Sequence, residues 1–237
     1  MIRIACWSGP RNISTALMRS WSSRKDTYVT DEPFYGYYLK KTLKGHPMRE
    51  EIIDHYSSKY DQIINHLLDD IPNKKTIWYQ KHMAHHLIDL SNIDWIKKCE
   101  NCILIRHPKE VISSYTIKNK LESVNELGYP QQLKIIKFLK KSGKKFVVID
   151  SKDLLKNPHK VLSDWCKSVN TNFDISMLKW EKGNHQNDGI WWKHWYDNVI
   201  NTTGFQKYNK KDICIDNNYE SIYYESMEYY NYLKSVS

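Results

Sequence analysis

Apolar residues in this chain fall into two repeating textures. Short runs rich in β-branched and aromatic residues, bounded by turn residues, alternate with longer stretches whose apolar positions recur three and four residues apart. The first run holds Ile2, Ile4, Ala5, Cys6 and Trp7 and breaks at Ser8-Gly9-Pro10. A helical pattern then starts after Asn12, with Ala16, Leu17, Ser20 and Trp21 on one face. Further strand-like runs lie at 27–30 (TYVT), 76–80 (TIWYQ), 101–105 (NCILI) and 145–150 (KFVVID). Residues 36–71 read as mostly helical, punctuated by Gly45-His46-Pro47, and two helix-like turns reach to about residue 98. Helices are also expected through 111–115, over 131–142 and around Val161, Leu162, Trp165 and Val169. Strand and helix thus alternate, which predicts an α/β fold with a mostly parallel central sheet covered by helices on both faces. Ligands then belong at the carboxyl ends of the strands.

From 180 to 205 the texture changes to a polar, aromatic stretch with Trp191, Trp192 and Trp195 close together, which reads as a long ligand-covering loop. A last helix over 219–233 carries Ile222, Met227, Tyr230 and Leu233 on a stripe and closes a single domain spanning 1–237.

Composition narrows the class. With 41% hydrophobic and 27% charged residues the chain is globular, not disordered. It holds no run of about twenty apolar residues and no leader pattern before the first strand, so a cytoplasmic, unanchored protein is expected. The odd count of five cysteines fits reduced thiols. Cys99-x-x-Cys102 has no second pair at zinc-ribbon spacing, and no metal site is expected. The net charge of +9 fits an anionic ligand, a nucleic-acid surface or a lysine-rich exterior. Lysines are spread along the chain without a basic stripe, which makes a nucleic-acid-binding module the weaker reading.

Candidate chemistry clusters where strands end. After the first strand come Gly9, Pro10, Arg11, Asn12, Ile13, Ser14 and Thr15, leading into a helix N-terminus that favours an anion such as phosphate or sulfate. The loop lacks the second glycine and the lysine of a Walker A motif. After the second strand, Pro33 is expected to hold Glu32 on extended backbone. The third strand leads into Lys81-His82-Met83-Ala84-His85-His86, and the fourth into Arg106-His107-Pro108.

Together these pieces resemble the sulfotransferases that use 3′-phosphoadenosine 5′-phosphosulfate (PAPS). Pro10-Arg11-Asn12-Ile13-Ser14-Thr15 is similar to the family's 5′-phosphosulfate loop. Arg106-x-Pro108 with Ser114 eight positions after the arginine is similar to its 3′-phosphate motif. A softer match is VVIDSKDLLKNPHKVL, where Ser151 replaces a frequent tyrosine and implies a different adenine contact.

The resemblance implies a three-layer P-loop-like fold, a PAPS donor, a hydroxyl or amine acceptor on a small molecule or carbohydrate, and no metal. On that reading Arg11 takes the leaving-group oxygen and sulfonate. Asn12, Ser14, Thr15 and the backbone of Gly9, Pro10 and Ile13 hold the 5′-phosphate, and Arg106 with Ser114 holds the 3′-phosphate. The general base is Glu32 or His82, the latter beside Lys81, with His85 and His86 as substitutes. The Trp191-Trp192-Trp195 cluster belongs to the acceptor pocket, to an adenine stack or to the core. A small-molecule kinase is the main alternative, with Asp150 as its one strand-terminal magnesium ligand. A homodimer is a further possibility.

Overall fold

The structure, a computed structural model, describes residues 1–90, 92–210 and 212–236. Its first half runs β1 (Ile2–Ser8), α1 (Ser14–Ser22), β2 (Thr27–Asp31), α2 (Tyr35–Thr42), α3 (Arg49–His55), α4 (Tyr60–Leu68) and β3 (Ile77–Met83). Then come β4 (Glu100–Ile105), α5 (Pro108–Tyr115), α6 (Tyr129–Lys141), β5 (Phe146–Asp150), α7 (Ser151–Lys156) and α8 (Pro158–Ser168). The short α9 (Trp192–Trp195) and the closing α10 (Glu220–Ser235) complete the chain.

All strand pairs are parallel, in the order β2-β3-β1-β4-β5. β1 is central because its residues are apolar toward both faces. Ile4 and Cys6 pack with Leu17, Trp21, Leu162 and Trp165 of α1 and α8. Ala5 and Trp7 face the opposite layer, which includes Leu67 of α4, Val111 of α5, Ile135 of α6 and Leu233 of α10. A strand covered on both faces reads as a continuous apolar run, which is what residues 2–7 show. Arg3 is the exception, and its guanidinium donates to the carbonyls of Leu68 at 3.0 Å and Asp69 at 2.6 Å. It thereby satisfies carbonyls that the end of α4 leaves unpaired.

One expectation changes here. The third strand extends to Met83, past the expected end at residue 80, so Lys81 and His82 lie within the sheet. The extension is stable because the polar side chains find partners there, Gln80 Nε2 on the Leu67 carbonyl at 2.9 Å among them. The stretch after it forms two 3₁₀ turns, Ala84–His86 and Asp94–Lys98; Ser91 between them lies outside the described residues.

A third cluster joins Tyr35, Tyr38 and Leu39 of α2, Ile52 of α3, and Trp191 and Tyr196. It seats the segment 180–205, whose two ends are tied by hydrogen bonds from Trp180 N to Thr203 O at 3.1 Å and from Gly183 N to Ile200 O at 2.8 Å. No helix among the described residues is long and apolar enough to cross a membrane. After β3 the chain crosses β1 to reach β4, and ligand crevices of open α/β sheets form at such a reversal.

Candidate active site

A cavity of about 300 Å³ opens at the carboxyl ends of β1 to β4. Residues 10–16 line one end of it, Glu32, Lys81 and Met83 come from the ends of β2 and β3, and Arg106 and Ser114 from β4 and α5. Tyr35, His46, His85, His86, Trp195 and Tyr196 form further wall.

The first end is built to take an anion. α1 begins without a side-chain cap from Ile13, so the N–H groups of its first turn have no partner in the helix. Arg11 and Ile13 both hold left-handed backbone, with φ of 61° and 60°. For a β-branched residue this is costly, roughly 1–2 kcal/mol, and such strain gathers where a loop must aim groups at a ligand. Gly9 allows the loop its seat, since a Cβ there would lie 2.1 Å from the Leu127 carbonyl oxygen. Asn12 is buried and donates to the Leu104 carbonyl at 3.2 Å, while its Oδ1 has no partner among the described residues. Arg106 donates from Nη1 to the Arg11 carbonyl at 2.7 Å and from Nε to Glu110 at 2.8 Å. Arg11 donates from Nε to Ser114 Oγ at 2.9 Å. Burial, and next the neighbouring Arg106, lower the Arg11 pKa. Two guanidinium groups held together in this way call for a multiply charged anion.

The other end is built around one ammonium and two carboxylates. Lys81 Nζ donates to Asp31 Oδ1 at 2.8 Å, Glu32 Oε1 at 2.5 Å and Tyr196 Oη at 2.9 Å, using its three N–H groups. Burial works against this charge, but Asp31 and Glu32 hold Lys81 well above the ordinary lysine range. Glu32 sits at φ 42°, left-handed and not on the extended backbone expected before Pro33, because its N–H bonds the Lys81 carbonyl while its own carbonyl takes the Tyr35 N–H that opens α2. Burial together with Asp31 pushes its carboxyl up to about 7 despite Lys81. One ammonium does not neutralise two carboxylates, so Glu32 is the group that retains a proton near neutrality. Asp31 is fixed further by Tyr196 Oη at 2.5 Å and the Gly189 N–H at 3.0 Å. His85 is lowered to about 3 by burial and then by His46, and His86 well below the ordinary value by burial and then by His85, so both imidazoles are neutral. Their Nδ1 atoms make no hydrogen bond among the described residues, although His86 Nδ1 lies 3.9 Å from Glu32.

With that geometry in place, the comparison with known families is decisive: residues 2–237 match the sulfotransferase domain family. The chain belongs to that family. Among solved structures, the chain resembles the sulfotransferase domain of the Synechococcus PCC 7002 olefin synthase, with a TM-score of 0.61 over 99% of this chain and 94% of that one. It also resembles the sulfotransferase domain from the curacin biosynthetic pathway, with a TM-score of 0.51 over 98% and 96% of the two chains. Identity is 15% in both cases, so these likenesses speak for the fold alone. Among curated proteins it is 31% identical over 232 residues, 98% of the chain, to branched-chain-amino-acid aminotransferase-like protein 1 of Arabidopsis thaliana. It is 32% identical over 209 residues, 86% of the chain, to protein 2 of the same name from the same plant. The chain spans only about two fifths of the length of these relatives, 41% and 37%.

Most of the residues singled out in the sequence line one cavity: Pro10, Arg11, Asn12, Ile13, Ser14, Thr15, Glu32, Lys81, Arg106 and Ser114. Gly9 instead packs on Leu127 and Gly128 behind the loop. His82 lies on the sheet face away from the cavity, stacked on Trp7 at 4.3 Å, with Nε2 3.3 Å from Gln80 Oε1. Burial and then Lys81 lower it to about 3. The reason is the longer β3, whose alternation turns Lys81 and His82 to opposite faces. The tryptophans divide, Trp191 joining the core while Trp195 faces the cavity. Asp150, the magnesium ligand a kinase would need, caps α7 through Lys152 N at 2.9 Å and accepts from Tyr230 at 2.6 Å and Lys234 at 2.9 Å. Cys99 and Cys102 are both buried, and no group of three metal-ligating side chains occurs among the described residues.

Sequence reasoning missed Asp31 and Tyr196. Asp31 had a signal, as an acidic neighbour of Glu32 at a strand end. Tyr196 had only its place in the aromatic stretch, since nothing local shows that it reaches β2 and β3.

Proposed function

We propose that this sulfotransferase moves a sulfuryl group from PAPS to a hydroxyl, or an amine, of a small-molecule or carbohydrate acceptor. The observation that carries the reading is a single cavity with paired guanidinium groups at one end and a buried, proton-retaining carboxyl at the other. The residues at the first end fit the donor: α1 offers unpaired N–H groups, and Arg11 and Arg106 together suit a nucleotide phosphorylated at both its 3′ and 5′ positions. When bound, the donor supplies an activated sulfuryl group, whose bond to the 5′-phosphate breaks as the acceptor oxygen bonds to sulfur.

The chain's own residues do the rest. Arg11, Asn12, Ser14 and Thr15 bind the 5′ end, and Arg11 offsets the charge left on the departing oxygen. Arg106 and Ser114 hold the 3′-phosphate. Glu32 takes the proton from the acceptor, and a carboxyl that titrates at about 7 suits a base working near neutrality. Lys81, with all its N–H groups engaged, positions Asp31 and Glu32 without itself reaching the donor. Tyr35, His46, Trp195 and the neutral His85 and His86 give the acceptor end aromatic walls and uncharged hydrogen-bonding atoms, which favours a hydroxylated acceptor.

Thermal shift tests the donor class, because only a ligand of the native state raises the midpoint. The midpoint is expected to rise more with 3′-phosphoadenosine 5′-phosphate, the spent donor, than with ATP or AMP. Equal shifts for all would overturn the reading.

A further inference from the structure

The segment that covers the cavity also reaches its carboxyl pair. Tyr196 Oη lies within hydrogen-bond distance of three groups. It donates to Asp31 Oδ2 at 2.5 Å, accepts from Lys81 Nζ at 2.9 Å, and accepts from Trp191 Nε1 at 3.2 Å. Gly189, from the same segment, adds its N–H to Asp31 Oδ2. Asp31 is therefore satisfied by Lys81, Tyr196 and Gly189, whereas the Glu32 carboxyl, among the described residues, has Lys81 alone at hydrogen-bond distance. With three donors on Asp31 and one on Glu32, Glu32 is the carboxyl left with hydrogen-bonding capacity to spare.

We propose that Tyr196 is a positioning residue for the transfer reaction: by bonding Lys81 and Asp31 together, its hydroxyl leaves Glu32 as the group that exchanges a proton with the acceptor. This rests on the reading of Glu32 as the base. It gives the segment 189–196 a second task, since the polypeptide that walls the acceptor end also completes the base.

The surroundings of Glu32 agree. Facing it are Lys81 from β3, Asp31 from its own strand, His86 from the turn after β3, Tyr35 from α2, Tyr56 after α3 and Tyr196 after α9. Lys81 is the cation among these groups, and its one charge is divided by the bonds that Tyr196 organises. Removing the Tyr196 hydroxyl leaves Lys81 short of one acceptor, so that its charge turns more fully toward Glu32. Glu32 then ionises at lower pH.

The test is a pH titration of the Glu32 carboxyl by carbon-detected NMR of the full chain, assigned by its disappearance in Glu32→Gln. In Tyr196→Phe the midpoint is expected to fall by on the order of one pH unit, the scale of one charge-assisted hydrogen bond. Trp191→Phe keeps Tyr196 and removes only an N–H from its oxygen, so a smaller shift in the same direction is expected; this variant keeps the test open even where Tyr196→Phe fails to fold. An unmoved or rising Glu32 midpoint in folded protein would overturn the inference. The ascending limb of the kcat/KM profile is measured alongside. If the carboxyl midpoint moves and that limb stays, Tyr196 does set the proton on Glu32, and it is the reading of Glu32 as the base that fails.

Discussion

Arg11 donates its Nε–H to Ser114 Oγ at 2.9 Å, joining the loop after β1 to the helix after β4. The reverse link is also made, since Arg106 Nη1 bonds the Arg11 carbonyl at 2.7 Å. The two motifs proposed to hold the donor are thus one hydrogen-bonded unit.

Arg106→Ala is expected to weaken binding of 3′-phosphoadenosine 5′-phosphate about 10- to 100-fold, the range for one lost charged hydrogen-bonding group. AMP, which lacks the 3′-phosphate, is expected to lose little. Isothermal titration with both ligands checks this, and equal losses would contradict the assignment. Ser114→Ala removes a neutral hydroxyl that partners Arg11 and, on the same reading, the 3′-phosphate, and its effect on the same ligand is expected to be a few-fold.

The carboxyl of Glu32, raised to about 7, gives two signatures against pH. As a base it works only when ionised, so kcat/KM is expected to climb through about pH 7, and Glu32→Gln to abolish turnover with donor affinity kept. In stability the sign runs the other way. A group that binds its proton more tightly when folded contributes fully below the unfolded value of 4.5 and loses that contribution as pH rises through about 7. The lowered His82 and His85 act oppositely, costing stability as pH falls below 6.5. The difference in denaturant midpoint between the parent and Glu32→Gln isolates the Glu32 part. It should favour the parent more at pH 4 than at pH 8, and a pH-independent difference would show that Glu32 has an ordinary carboxyl.

How far the sequence already told this story depends on the range of each interaction. The strands were legible because burial on both faces makes them short apolar runs, and the loop and helix motifs because their spacing is local. The end of β3 was not, since Lys81 and His82 look like loop residues until partners from β2 and Trp7 are in view. That shift of register separated Lys81 from His82 and left Glu32, not His82, facing the cavity. Tyr196 lies 165 residues from Asp31, and only folding reveals that contact.

Arg19 and Asp188 form an ion pair at 2.5 Å with both side chains 1% exposed, pinning the covering segment to α1. Removing one partner strands the other charge in the interior, so Asp188→Ala is expected to cost about 3–5 kcal/mol. Replacing both with apolar residues of similar size, Arg19→Met with Asp188→Leu, is expected to cost much less. Urea unfolding of the parent, the single variant and the double variant reads this directly. A single-variant loss under about 1 kcal/mol would mean that water reaches the pair.

Gly189 separates the fit of the covering segment from donor binding. A Cβ there would lie 2.1 Å from the Trp191 indole, so Gly189→Ala forces the ring to move, at an expected cost of about 1–3 kcal/mol in stability. The ring is tied to Tyr196 through Nε1, and the Gly189 N–H itself bonds Asp31, so the displacement is passed to the carboxyl pair. Turnover is expected to fall, whereas affinity for 3′-phosphoadenosine 5′-phosphate should hold, because Gly189 and Trp191 do not line the cavity that Arg11 and Arg106 share. Turnover kinetics and ligand titration on the same preparation decide it. Unchanged kcat with a lowered melting point would show that the segment is held in place by packing alone, without a share in the proton transfer.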